Sequence, residues 1–144
     1  MVEHIINGLL GGLLATIVMT AFMMTLGGDD PPPTALFWSK YIGDEDPEAY
    51  MMQGMVLHAL YGIGAGGVFA VIVDALSLDI SDLVMAILLG LGYAIILFIV
   101  AAVFWMNIVL KLDADRRQVM LFLLFHLIYG VVLGAWIGLE LISF

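Results

Sequence analysis

Residues 58–70 read HALYGIGAGGVFA, and the same frame returns at residues 126–138 as HLIYGVVLGAWIG. His58, Tyr61, Gly62 and Gly66 recur as His126, Tyr129, Gly130 and Gly134. Both copies lie inside apolar runs, and crossing a bilayer takes about 20 such residues. Histidine is uncommon at such positions. A matched pair predicts an internal duplication of two hairpins, a 2+2 bundle.

Working outward, the chain continues in the same manner. Of its 144 residues 64% are hydrophobic and 12% charged, far from the balance of a soluble domain. The reading is a single all-α transmembrane domain with helices at about 5–26, 47–73, 82–110 and 116–142. None of the runs alternates as a membrane strand does. The third is the longest, which predicts tilt or extension beyond the hydrocarbon. Helix punctuation agrees. Asp46-Pro47-Glu48 reads as cap, first-turn proline and first-turn acid; Ser81-Asp82 caps the third helix, and Asp113 or Asp115 the fourth. Lys111 follows the third helix, where a cation suits the dipole. The opening MVEHIINGLL has no Lys or Arg, so no cleavable signal peptide is expected.

The first loop is the one long connection. Pro31-Pro32-Pro33 is stiff and extended, and TALFWSKYIG follows. Leu36, Phe37, Trp38, Tyr41 and Ile42 make it too apolar for a water-facing loop. A short interfacial helix at about 34–43, lying at headgroup level, is predicted; a lid packed over the bundle is the alternative. Lys40, Lys111, Arg116 and Arg117 are the four basic residues, and all fall in the first or third loop. The positive-inside rule therefore places those loops in the cytoplasm and both termini outside, in a multi-pass plasma-membrane protein.

The net charge is −9, from 13 acids against four bases. This balance argues against nucleic acid as a partner and suits a halophilic archaeon, whose high internal salt screens carboxylate repulsion. Asp44, Glu45, Asp46 and Glu48 read as a solvated capping cluster whose spacing fits no calcium loop. There are no cysteines, which excludes disulfides and thiolate chemistry.

Lipid is as apolar as leucine, so membrane helices associate where small residues let backbones approach. Gly8, Gly12, Thr16 and Thr20 form one such stripe. Gly54, His58, Gly62, Gly66 and Ala70 form the second; Ala86, Gly90 and Ala94 the third; His126, Gly130, Gly134 and Gly138 the fourth. Gly11, Ala15 and Gly67 lie off these stripes and suggest a second contact face, hence a homo-oligomer or a subunit of a membrane complex.

The chemistry-bearing candidates are His58, Tyr61, His126 and Tyr129, with both histidines about eleven residues into helices that run the same way. Three uses stay open: hydrogen bonds that set helix register; axial ligation of haem b, with glycines admitting the porphyrin; and a polar site for protons, a quinone or a small substrate. The leading expectation is no cofactor. Met51 and Met55, followed by His58, make a weak copper(I) candidate, and Met19 and Met23 repeat the spacing; adaptable packing is the commoner use of methionine. Asn107 reads as an interhelical polar contact. No phosphate-binding loop, nucleophile elbow or zinc-protease motif occurs, so the expected function is non-enzymatic: an accessory subunit or a self-associating scaffold. Its alternatives are a haem- or quinone-linked electron carrier using His58 and His126, and a small transporter or proton pathway.

The layout of a first helix, a proline-bearing amphipathic loop, then His58 with its glycines and a fourth helix opening towards His126 resembles the YagU-like group of small four-helix membrane proteins. The resemblance implies four transmembrane helices and no defined reaction, and it carries over no catalytic residue.

Overall fold

The computed structural model describes residues 2–28 and 31–139; the expected end of the fourth helix at 142 lies outside them. Four helical stretches are long and apolar enough to cross a membrane: Val2–Leu26, Pro47–Ala75, Leu83–Val109 and Arg116–Gly138. The elements are α1 (Val2–Leu26), α2 (Pro33–Tyr41), a 3-10 turn (Pro47–Tyr50) leading into α3 (Met51–Ala75), α4 (Leu83–Ala101) running into a π-helical segment (Ala102–Val109), and α5 (Arg116–Gly138). No strand occurs among the described residues. By length and composition this is a multi-pass integral membrane protein.

The helix starts follow local chemistry. Asp82 caps α4 by accepting from the Met85 N–H at 3.0 Å. Asp115 closes a capping box on α5: its carboxylate accepts from the Gln118 N–H at 2.8 Å, while the Gln118 side chain accepts from the Asp115 N–H at 3.0 Å. Asp46 precedes Pro47 at the first helical position but makes no side-chain cap bond.

Glycine decides how close the helices come. A Cβ built on Gly12 of α1 would stand 2.6 Å from the Gly62 carbonyl oxygen of α3, and one on Gly134 of α5 would stand 2.5 Å from the Ala86 carbonyl of α4. No side chain fits at such separations. Gly8 likewise meets Gly66 and Ala70; Gly90 meets Gly130 and Gly134; Gly138 meets the Ala86 Cβ. So α1 packs tightly on α3, and α4 on α5, while α1 also packs on α5. That last contact uses Gly11, which faces Trp136 and Leu133, with Trp136 Nε1 donating to Asn7 Oδ1 at 2.7 Å. Gly67 faces Leu9. The glycines expected to form an outer oligomer face are therefore spent inside the bundle. Gly64 and Gly92 instead face open space.

The fourth side of the bundle, between α3 and α4, is closed by side chains. Tyr93 stacks against Phe69 at 5.0 Å between centroids and donates to the Ala65 carbonyl at 2.8 Å. Ala15, Met19, Phe69, Tyr93, Tyr129 and Leu133 belong to the buried core.

At the end that carries the basic loops, α2 lies against α3 and the π-helical segment. Gly54, expected to pack against another spanning helix, instead receives Ala35 of α2. Phe37 meets Trp105 edge-on at 5.4 Å. Lys40 Nζ donates to the Leu110 carbonyl at 2.8 Å, and the Tyr41 hydroxyl to the Val109 carbonyl. A cation at the end of the third helix is thus supplied by Lys40, while Lys111 follows that end with a left-handed backbone, φ 53°. Asn107 is exposed, and the interhelical hydrogen bond expected of it does not occur among the described residues.

Candidate functional site

Between the two tight helix pairs and beneath α2 lies a cavity of ≈ 60 Å³, room for about four waters. All four spanning helices and the start of α2 contribute: Thr16, Met19 and Met23 from α1; Pro32, Pro33 and Thr34; His58, Tyr61, Gly62 and Ala65 from α3; Leu97, Ala101 and Trp105 from the third span; Phe122, His126 and Tyr129 from α5. The four candidate residues are therefore brought together, and the positions equivalent by sequence do not play equivalent parts.

His126 is buried, at 5% exposure. Its Nδ1 lies 2.7 Å from the Phe122 carbonyl one turn back. A carbonyl only accepts, so Nδ1 carries the proton and Nε2 of the neutral ring keeps a lone pair. Phe122 and Phe98 pack edge-on to the ring at 4.6 and 6.0 Å, holding its plane. His58 is half-buried, and its Nδ1 is 3.5 Å from Thr20 Oγ1, a long and weak contact. One imidazole is locked and the other loosely tethered.

The tyrosines differ in the same way. Tyr129 is buried and its hydroxyl donates to the Gly62 carbonyl at 2.6 Å, joining α5 to α3. Tyr61 is 37% exposed, so the cavity reaches the outer surface of the bundle beside it. Thr16, whose Oγ1 bonds the Gly12 carbonyl of its own helix at 2.7 Å, adds little free polarity. Among the described residues no Lys, Arg, Asp or Glu lines the cavity.

Met51 and Met55 do not line it; Met19 and Met23 do. No cluster of three or more His, Asp or Glu able to hold a metal ion occurs among the described residues. Sequence reading passed over Tyr93, Thr34 and Trp105. Tyr93 carried a usable signal, a hydroxyl in an otherwise apolar helix. Thr34 enters only because α2 folds back over the bundle, and Trp105 lines the cavity from the π-helical segment of the third span.

No protein-family model matches the chain, and neither a curated protein nor a solved structure does.

Proposed function

We propose that this is a non-enzymatic integral membrane protein, an accessory subunit or self-associating scaffold, whose bundle holds a small lipid-soluble molecule beside His58 and His126. The observation that carries this is the cavity itself. It is mostly apolar, is bounded by every spanning helix, is bordered by both imidazoles, and meets the bilayer-facing surface at Tyr61. Apolar pockets with a few placed polar groups are the usual form of a ligand site. The molecule's polar head occupies the cavity and its apolar part extends past Tyr61 into lipid. Titrating the protein in lipid nanodiscs with a short-chain benzoquinone and following tryptophan fluorescence tests this, since Trp105 lines the site. Quenching that saturates and is lost in Trp105→Phe and His126→Leu is expected; quenching no different from free lipid would sink the reading.

A quinone fits this description better than haem. A porphyrin, several times the width of a single ring, would have to part the helices that Tyr129 ties together. A purified protein with a Soret band lost in His126→Ala would reverse that preference. A transport or proton pathway draws support from the histidines alone and is the weaker alternative.

The surrounding architecture completes the proposal. Matching contacts of Gly12 with Gly62 and Gly66, and of Gly90 with Gly130 and Gly134, support two duplicated hairpins, with α2 as an insertion in the first. Basic loops 1 and 3 lie in the cytoplasm, and α2 sits at that headgroup level with Trp38, Lys40 and Tyr41 as anchors. The YagU-like affiliation and the halophilic source stand as part of the same proposal.

A further inference from the structure

We infer that α2 reads the ligand: the Thr34 hydroxyl donates a hydrogen bond to a carbonyl oxygen on a neutral, lipid-soluble molecule held in the His58–His126 cavity. This rests on the binding-site reading above. Among the described residues two buried side-chain polar atoms have no hydrogen-bond partner, Thr34 Oγ1 and Trp38 Nε1. Both belong to α2, one helical turn apart and so on one face. Thr34 is 8% exposed and borders the cavity. A buried hydroxyl without a partner forfeits its hydration with no return, so each such atom in a folded protein calls for an explanation.

Intrahelical bonding does not supply one. Threonines within helices turn their hydroxyls to the carbonyl one turn back, as Thr16 does to Gly12 and Thr25 to Ala21. Thr34 sits in the first turn of α2 behind an extended proline, Pro32 at φ −65° and ψ 153°, and no helical turn precedes it. The same position explains the sign of the partner. Pro33 has no N–H and the Ala35 and Leu36 N–H groups bond the Pro32 carbonyl at 2.9 and 3.1 Å, so the Thr34 N–H is the first-turn donor left over, at the positive end of the helix dipole. Hydroxyl, N–H and dipole all favour an acceptor oxygen.

Charge narrows the class. Among the described residues no cation lines the cavity, and Lys40 is committed to the Leu110 carbonyl, so an anionic head would lie in a low-dielectric site without a counter-ion from them. A neutral carbonyl meets both conditions, and the His126 Nε2 lone pair offers the complementary acceptor to any hydroxyl on the same molecule. The ring ketone of a quinone and the carbonyl of a protonated fatty acid share this chemistry.

The test compares the wild-type protein, Thr34→Val, Thr34→Ala and Thr34→Ser in nanodiscs, titrated with a short-chain benzoquinone, a medium-chain fatty acid and a chain-matched alkane. Loss of one hydrogen bond predicts roughly fivefold or greater weakening of carbonyl binding in Thr34→Val and Thr34→Ala, with Thr34→Ser close to wild type and the alkane indifferent to all three. The unliganded thermal midpoint of Thr34→Val should not fall, since that variant removes an unpaired hydroxyl and keeps the shape. Saturable binding of the quinone alone assigns the carbonyl to a ring ketone, and of the fatty acid alone to a carboxyl group. Equal carbonyl affinity in the wild-type, Thr34→Val and Thr34→Ala proteins overturns the inference and leaves the cavity reading intact. Absence of saturable binding in the wild-type protein overturns the cavity reading itself.

Discussion

The Tyr129 hydroxyl lies 2.6 Å from the Gly62 carbonyl and ties the fourth spanning helix to the second across the bundle. Gly62 is also where Thr16 of the first helix rests. One residue thus receives two neighbours, which is possible because it has no side chain of its own.

Removing the hydroxyl with Tyr129→Phe should cost about 1 kcal/mol, the usual worth of an interhelical hydrogen bond in a membrane. Tyr93→Phe, which loses the bond to the Ala65 carbonyl one turn along α3, should cost a similar amount. Thermal unfolding in a mild detergent measures both. A double variant that loses no more than either single one would show that the two bonds act as a unit.

The close helix contacts predict a sharp contrast between glycines. Gly134→Val drives a side chain into the Ala86 backbone and should destabilise by more than about 3 kcal/mol or prevent assembly. Gly64→Ala, which meets nothing within 4 Å, should be neutral or slightly stabilising. Expression yield and monodispersity in detergent distinguish the two outcomes.

Lys40→Met should loosen α2 from the third span. A hydrogen bond from a charged group is worth about 1.5–3 kcal/mol when buried, and because Lys40 is exposed the expected loss is nearer 1 kcal/mol. Limited proteolysis in the first loop should speed up several-fold. Unchanged cleavage would mean that Ala35, Phe37 and Tyr41 hold α2 without it.

The Asp115→Ala variant breaks the capping box at the start of α5 and should cost about 1 kcal/mol. Hydrogen exchange at residues 116–118 is the direct measurement, with faster exchange confined to that first turn.

In the turn before α4, the Ser81 hydroxyl donates to Asp79 at 2.7 Å and the Ser81 N–H at 3.0 Å, holding the carboxyl below its ordinary value. A depressed carboxyl contributes stability above its unfolded-state value and loses it as pH falls through the folded one. Ser81→Ala should return Asp79 towards the ordinary range. An NMR titration of the Asp79 side chain reads this, and an unmoved midpoint would show that the backbone N–H alone sustains the shift.

Much of the architecture was legible because it follows from local rules. Run length and composition identify the spans, Asp82 and Asp115 announce their helices, and glycines four apart mark the contact stripes. What escaped depended on partners remote in the chain. Gly11 and Gly67 carry the same local signature whether they face another copy or their own bundle, and only packing shows that they face Trp136 and Leu9. Lys111 was the cation that local reading placed at the end of the third helix. The bond to the Leu110 carbonyl comes from Lys40, seventy residues earlier, which no local rule links to that end.

The sequence by itself determined a four-span membrane helix bundle and singled out His58, Tyr61, His126 and Tyr129, because hydrophobicity, capping and polar residues in apolar runs are properties of a residue and its near neighbours. Tertiary structure decided that the pairs are unequal: His126 is locked and His58 loosely held, Tyr129 bonded and Tyr61 turned to the outer surface. It also decided that α2 folds over the cavity and brings an unpaired Thr34 to its wall. Those outcomes depend on which surfaces meet, and that is settled only when close backbone contact at glycine fixes how far apart the helices stand.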